Sequence, residues 1–230
     1  MNQQRTRGII LSRVDYGEAD RILTVLTPDA GKLGLIAKGV RKVRSKLAGG
    51  IELFTVNELT YMPGRGRVHS LLSSRLLVNY PRIITNIDRT MLGYELIKLL
   101  NSVTEDKLDQ GYFELLQGAL AGLNSESLHD ELIKVWFWAR LLTLGGNKPN
   151  LSSDENGNKL LADKTYEFDF ERVCMREAIT GPFGANEVKF LRILFDREYP
   201  LGLETIKGVG ELTKACSPIV SSLQMTYLRP

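Results

Sequence analysis

The apolar residues of the first 80 positions occur in short runs that are separated by turn residues. Apolar residues at every second position, as in Leu33, Leu35 and Ala37, are typical of a β-strand with one buried face. Gly, Pro and Asp between the runs favour tight turns. The pattern predicts five strands, at 6–14, 19–27, 32–38, 51–61 and 68–78.

Five strands in 80 residues leave almost no room for crossover helices. Such a chain favours a small antiparallel barrel, because antiparallel strands need only short connections. The five-stranded OB-fold is the commonest barrel of this kind that binds oligonucleotides. We therefore expect an N-terminal OB-fold domain over residues 1–80.

After Tyr80 the apolar positions change to a helical period. Helices are predicted over 87–103 and 113–123, from Ser127 to the Gly145-Gly146 pair, over 185–197, and from Ser217-Pro218 onward. Residues 147–164 are rich in Asn, Ser, Asp, Gly and Lys, which predicts a long loop. The fold class is therefore α+β, with an N-terminal five-stranded antiparallel OB-fold barrel followed by an all-helical domain over 81–230.

Charge is unevenly divided at the same boundary. The chain of 230 residues has a net charge of only +3. Residues 1–80 contain 13 Lys and Arg against 6 Asp and Glu, and residues 81–230 contain 17 against 21. A net +7 beside a net −4 indicates an anion-binding module attached to a domain of another kind.

The sequence lacks the residue sets of the common catalytic and metal sites. Its two cysteines and two histidines are too few and too scattered for a disulfide framework or a zinc site. The glycines at 34 and 39 have phosphate-loop spacing, but Val40-Arg41 follows where Lys and Ser or Thr are needed. HExxH and GxSxG motifs are absent. We expect a protein that is not an enzyme, with no catalytic residue, no cofactor and no metal.

No segment of the sequence favours a membrane location. The longest uncharged stretch, 215–228, has 14 residues, several of them polar, which is too short to span a bilayer. The first residues are polar, with no apolar signal core behind them. We expect a cytoplasmic protein.

A run of cations is the strongest candidate for binding chemistry. Five cations occur in nine residues, no acidic residue lies between 32 and 51, and a further Arg-Gly-Arg lies at a predicted hairpin tip. Cations at this spacing can follow a polyanion, although an ordinary solvated loop and a charged turn remain open as alternatives. The candidate phosphate-binding residues are Lys32, Lys38, Arg41, Lys42, Arg44, Lys46, Arg65 and Arg67.

Several motifs in the first third resemble the opening of the bacterial recombination mediator family RecO. They are GIIL at 8–11, DYGEADRILT at 15–24, LTP at 26–28, GKL at 31–33, AKGVRK at 37–42, SKL at 45–47, and EL at 58–59 before the glycine hairpin. The helical remainder is compatible with the family but carries a much weaker match.

The resemblance implies an OB-fold, a helical domain and a non-enzymatic role in DNA repair. Family members bind single- and double-stranded DNA, anneal complementary strands, contact RecR, and bind the acidic C-terminal tail of single-stranded DNA-binding protein, which helps RecA to replace that protein. This role also implies association with the nucleoid. The family's DNA contacts carry over to Lys38, Arg41 and Lys42 within the matching motif, and less closely to the other five cations. An RNA-binding OB protein and a protein-interaction scaffold remain as alternatives.

The chain departs from the family where many members carry a four-cysteine zinc motif. The corresponding stretch contains Cys174 alone, and Asn150-Leu151-Ser152-Ser153 stands where a cysteine pair is expected. We therefore predict no zinc, and we expect 147–180 to be an irregular segment.

Overall fold

A computed structural model of the protein describes residues 2–42, 47, 50–104 and 111–228. The chain divides into two compact units, residues 1–125 and residues 126–230. Among the described residues, no helix is long and apolar enough to cross a bilayer.

The N-terminal unit is built on a closed barrel of five strands in the order β1-β2-β3-β5-β4. The strands are β1 (Gln4–Tyr16), β2 (Asp20–Thr27), β3 (Gly31–Ala37), β4 (Thr55–Met62) and β5 (Val68–Asn79). The fold class predicted from the sequence, an N-terminal barrel followed by helices, is confirmed.

The long strand β1 takes part in two halves of the barrel. Its first residues, from Gln4 to Ile9, pair with β4, and its residues from Ile9 onward pair with β2, with a bulge between Ile10 and Ser12 in the second pairing. A bulge bends a strand and increases its twist, which lets one strand turn the corner of a small barrel. The barrel closes through a short parallel pairing of Gly34–Ile36 with Val68–Ser70, whereas its other pairings are antiparallel.

Three helices complete the N-terminal unit. They are α1 (Pro81–Ile84), α2 (Ile87–Val103) and α3 (Tyr112–Asn124), and α2 packs against the barrel. Gly93 of α2 lies against the Phe54 ring, so close that a Cβ at this position would approach the ring Cε1 to 2.7 Å. Phe54 also makes an edge-to-face contact with Tyr94, with ring centroids 5.2 Å apart. A side chain larger than hydrogen at residue 93 would therefore push α2 away from the barrel.

The second unit contains α4 (Asp130–Leu144), α5 (Ala185–Asp196) and α6 (Val209–Tyr227), with a 3₁₀ turn at Leu203–Thr205. Helix α4 is its centre. Trp136, Phe137 and Trp138 are consecutive on this helix and all three are buried, which requires packing around much of its circumference. The Trp136 indole N–H donates a 2.8 Å hydrogen bond to the Arg197 carbonyl.

Segment 147–180, for which we expect irregular structure, contains a three-stranded sheet. Its strands are β6 (Asn150–Asp154), β7 (Tyr166–Asp169) and β8 (Cys174–Glu177), in the order β6-β8-β7. The helical domain therefore includes β-structure that the sequence analysis does not predict. Strands of four or five residues are too short to show a two-residue period, and Asn, Ser and Asp have low strand propensity.

Side chains of Asp and Asn hold the turns of this sheet. Asp154 Oδ1 accepts hydrogen bonds from the backbone N–H groups of Asn156 (2.9 Å) and Asn158 (2.8 Å), and Asp154 Oδ2 accepts one from the Asn158 amide. Asp169 Oδ1 likewise accepts from the N–H groups of Glu171 and Arg172, at 3.0 Å each. These bonds satisfy the backbone N–H groups of the two turns.

Two other element starts differ from the prediction by four residues or more. Helix α6 begins at Val209 rather than near Ser217, and Pro218 lies inside it. A Ser-Pro pair is typical of a helix start, but a helix interior can also accommodate proline at the loss of one hydrogen bond. Strand β4 begins at Thr55 rather than at 51, because Phe54 has a φ of 60° and interrupts the extended backbone.

Candidate nucleic-acid interface

One end of the barrel brings the β1–β2 turn beside the chain that follows β3. The Gly39 N–H donates a 2.7 Å hydrogen bond to Asp20 Oδ1, and the Arg41 N–H donates a 3.0 Å bond to the Ala19 carbonyl. Gly39 has a φ of +62°, a conformation that glycine adopts without strain. The first part of the basic run is therefore fixed to the barrel by one hydrogen bond to a side chain and one to a backbone carbonyl.

The cations on this turn differ in their partners. Lys38 and Lys42 are exposed, and within the part of the chain that the structure describes neither forms an ion pair. Arg41 is engaged: its Nε lies 3.5 Å from Asp15 Oδ2, and its Nη1 donates a 3.4 Å hydrogen bond to the Gly17 carbonyl. Arg44 and Lys46 lie outside the described residues.

A groove of about 550 Å³ runs along the outer surface of β2 and β3 to the β4–β5 hairpin. We call it the barrel groove. Ile22 and Thr24 of β2 line its floor, and Lys32, Arg67 and His69 stand around it. Gly34 lies between the strands and the hairpin, where an added Cβ would lie 3.0 Å from the Arg67 carbonyl oxygen. The glycine thus allows the hairpin backbone to approach the face of β3.

Two of the predicted cations, Lys32 and Arg67, border the barrel groove. Lys32 also binds a helix. Lys32 Nζ donates a 3.0 Å hydrogen bond to the Asn101 carbonyl in the last turn of α2. Lys32 thus borders the groove while its ammonium binds a helix carbonyl. Arg65 and Arg67 are exposed on the hairpin.

His69, which borders the groove, helps to position the hairpin. His69 Nδ1 accepts a 3.1 Å hydrogen bond from the Gly64 N–H, and its ring stacks on Tyr61 with centroids 5.5 Å apart. Tyr61 is buried and its hydroxyl donates to Gln4 Oε1 at 2.7 Å. Tyr16 is 55% exposed at the end of β1, which leaves its ring open to stacking on a base.

One arginine that the sequence analysis does not select, Arg21, belongs to the same end of the barrel. Arg21 lies directly across from Asp15 in the β1–β2 pairing, and its Nε donates a 2.8 Å hydrogen bond to Asp15 Oδ1. This bond, together with the charges of Arg41 and Arg13, outweighs desolvation and lowers the pKa of Asp15. The sequence contains a signal for this contact, because the short DYGEADR turn places Asp15 and Arg21 on opposite strands.

No cluster of three or more His, Cys, Asp or Glu side chains that could hold a metal ion occurs among the residues that the structure describes. The barrel end and its groove offer guanidinium and ammonium groups instead. These groups bind phosphates and carboxylates. An OB-type barrel with a groove bordered by cations is the class of protein that the N-terminal unit defines.

Comparison with known proteins gives the family. Residues 1–80 match the family described as recombination protein O N terminal, and residues 85–216 match recombination protein O C terminal. The chain belongs to the RecO family of DNA repair proteins. It is 34% identical over 233 residues to the DNA repair protein RecO of Roseiflexus sp., with 98% of this chain and 80% of that protein covered. It is also 32% identical over 203 residues to the DNA repair protein RecO of Dehalococcoides mccartyi, with 85% and 79% covered.

Proposed function

We propose that this protein is a non-enzymatic recombination mediator that binds and anneals single-stranded DNA. Its membership of a DNA repair family supports the general role. The observation that carries the proposal is the barrel groove between β2, β3 and the β4–β5 hairpin, with exposed cations on the hairpin and on the turn after β3. We assign DNA binding to the barrel of residues 1–80, which forms one compact unit with α1–α3.

The proposed interface recognises phosphates rather than base sequence. Its cations are Lys38, Arg41 and Lys42 on the turn after β3, and Arg65 and Arg67 on the hairpin, with Arg44 and Lys46 beyond the described residues. Lysine and arginine displace counterions from phosphates, whereas base-edge readout favours the paired bonds of Asn, Gln or Arg in a duplex groove. A backbone clamp leaves the bases free to pair with a complementary strand, which is what annealing requires.

The OB face favours single strands over duplexes as the primary ligand. An open barrel face can seat a single strand along the groove while exposed rings such as that of Tyr16 stack on its bases. Double-stranded DNA is bound through its phosphates alone in this proposal. RNA has the same phosphates, so an RNA-binding role is an outcome that a competition between DNA and RNA strands would reveal.

The proposed partners follow from family membership. We propose that the protein contacts RecR, binds the acidic C-terminal tail of single-stranded DNA-binding protein, and thereby helps RecA to load onto the coated DNA. It acts in the cytoplasm at the nucleoid. A protein-interaction scaffold without DNA binding is the competing proposal.

Annealing of complementary strands coated with single-stranded DNA-binding protein tests the proposal. The full chain should accelerate annealing, and the double variant Lys38→Ala with Lys42→Ala should be slower. The double variant Lys189→Ala with Lys207→Ala removes the same charge from exposed positions of the second unit and should match the wild type. No acceleration by the wild-type chain, or equal loss in both double variants, would contradict the proposed function.

A further inference from the structure

The Asp15 carboxylate lies between two guanidinium groups at the end of the barrel. Arg21 Nε donates to its Oδ1 at 2.8 Å, and Arg41 Nε lies 3.5 Å from its Oδ2. The side chains of Asp15, Arg21 and Arg41 are 51%, 31% and 38% exposed. An anion in solution can therefore reach the position that the carboxylate occupies.

The surrounding backbone fixes the two arginines in place. Arg21 is paired on both sides within the sheet, opposite Asp15 in β1 and opposite Ala37 in β3. Arg41 is tied through its N–H to the Ala19 carbonyl and through its guanidinium to the Gly17 carbonyl. The backbone of both arginines is therefore held beside Asp15, and each guanidinium lies within 3.5 Å of a carboxylate oxygen. We call the Arg21 and Arg41 guanidinium groups the arginine pair.

We propose that the arginine pair is a binding site for a nucleic-acid backbone phosphate, and that Asp15 occupies this site when no DNA is bound. The proposal rests on the DNA-binding function proposed above. Guanidinium groups bind carboxylate and phosphate oxygens through the same charge-assisted hydrogen bonds, so one anion can replace the other. An exposed ion pair is weak in water, and this makes the carboxylate displaceable.

Asp15 then acts as an internal competitor of DNA. Every phosphate that enters the site must displace the carboxylate, which weakens binding relative to an empty arginine pair. A lower affinity for single-stranded DNA suits a protein that must release each strand after it has paired with its complement.

The variant Asp15→Asn tests the competition, because it keeps the side-chain shape and removes the charge. The matched control is Glu58→Gln. Glu58 also lies between two arginines, 3.8 Å from Arg5 Nη1 and 3.2 Å from Arg75 Nη2, and it pairs with Arg7 near the other end of β1. Both variants raise the net charge by one, so a difference between them reports the site rather than the overall charge.

Affinity for a single-stranded oligonucleotide is measured with the full chain at one fixed salt concentration. Asp15→Asn should bind about threefold more tightly than the wild type, the gain expected from removing an exposed competing ion pair, while Glu58→Gln should change little. Adding Arg21→Gln to Asp15→Asn should abolish the gain. Asp15→Ser also removes the carboxylate and should bind more tightly as well. Melting curves verify that each variant is folded.

The outcomes separate the inference from the function on which it rests. Equal gains in Asp15→Asn and Glu58→Gln, or no gain in Asp15→Asn and Asp15→Ser, would overturn the phosphate site while DNA binding stands. A persistent gain after Arg21→Gln would do the same. No DNA binding by the wild type or by any variant would contradict the proposed function itself.

Discussion

Lys32 in the barrel binds the backbone carbonyl of Asn101 in α2 across 3.0 Å. The carbonyl lies in the last turn of the helix, where the final C=O groups have no partner within the helix. A lysine at this position satisfies one such group and places a positive charge at the negative end of the helix dipole. The bond therefore fixes α2 to the barrel within the N-terminal unit.

We predict that Lys32→Ala lowers stability more than it weakens DNA binding. Loss of a charge-assisted hydrogen bond to a helix end should cost about 1 kcal/mol in the free energy of unfolding. Lys38→Ala, at an exposed position without an ion pair among the described residues, should change stability by less than about 0.5 kcal/mol. Urea unfolding and the salt dependence of DNA affinity measure both effects. A wild-type stability for Lys32→Ala together with weakened, less salt-dependent binding would show that Lys32 holds DNA instead.

Gly93→Ala should destabilise the N-terminal unit. The added Cβ would lie 2.7 Å from the Phe54 ring, which is buried and already in contact with Tyr94. Overpacking of this kind typically costs about 1–3 kcal/mol because the neighbouring ring or helix must move. Gly66→Ala is the control, since no atom lies within 4 Å of its added Cβ. Equal stability of the two variants in thermal melts would show that the α2 contact is looser than described.

The sheet of the second unit should be stable without metal. A chelator should leave the melting temperature of the wild type unchanged, because Asp154 and Asp169 hold the turns by hydrogen bonds. Asp154→Ala should lower the melting temperature by several degrees, since it removes the acceptor of three hydrogen bonds. Asp163→Ala, an exposed Asp in the same segment, should have little effect. Unfolding by chelator, or one zinc per chain in elemental analysis, would contradict this prediction.

Stability should decrease in alkali because of Cys216. Burial, assisted by the negative charge of Glu187, raises the pKa of this thiol from 9.0 to about 12. A raised folded-state pKa gives stability that is fully present below the unfolded pKa and is lost as the pH rises from about 9 toward 12. Within this window the wild type should lose up to about 1.4 kcal/mol per pH unit more than Cys216→Ala. Urea unfolding of both proteins at several pH values gives the difference, and identical slopes would contradict a buried thiol with this pKa.

The local sequence pattern predicts the strands and helices of this fold well, but it predicts poorly which elements and side chains pack against each other. The strand periods and turns of the first 80 residues predict the barrel strands, and β2, β3 and β5 begin within one residue of their predicted starts. The apolar stripe of α2 predicts the helix, but it does not distinguish the buried Leu92 and Leu96 from the exposed Ile87 and Met91. Burial depends on where the helix packs, which is a property of the whole unit.

In the candidate site, too, local features can be predicted from the sequence and long-range contacts cannot. The basic run makes Lys38, Arg41 and Lys42 candidates because charge spacing is local in the sequence. The bond of Lys32 to a residue 69 positions away has no local signal. The arginine pair was detectable only in part, since the β1–β2 turn predicts the contact between Asp15 and Arg21 but not the approach of Arg41 from the far end of β3.

The salt dependence of single-stranded DNA binding tests most directly whether the barrel cations hold DNA phosphates. If about five cations of the wild type contact phosphates, the logarithm of affinity should fall against the logarithm of salt with a slope near −3.5, so that tripling the salt weakens binding about fiftyfold. Replacing Lys38, Lys42 and Arg65 together by alanine should reduce the slope to about −1.4, with the melting temperature unchanged. A folded triple variant that keeps the wild-type slope would contradict a phosphate clamp on this barrel.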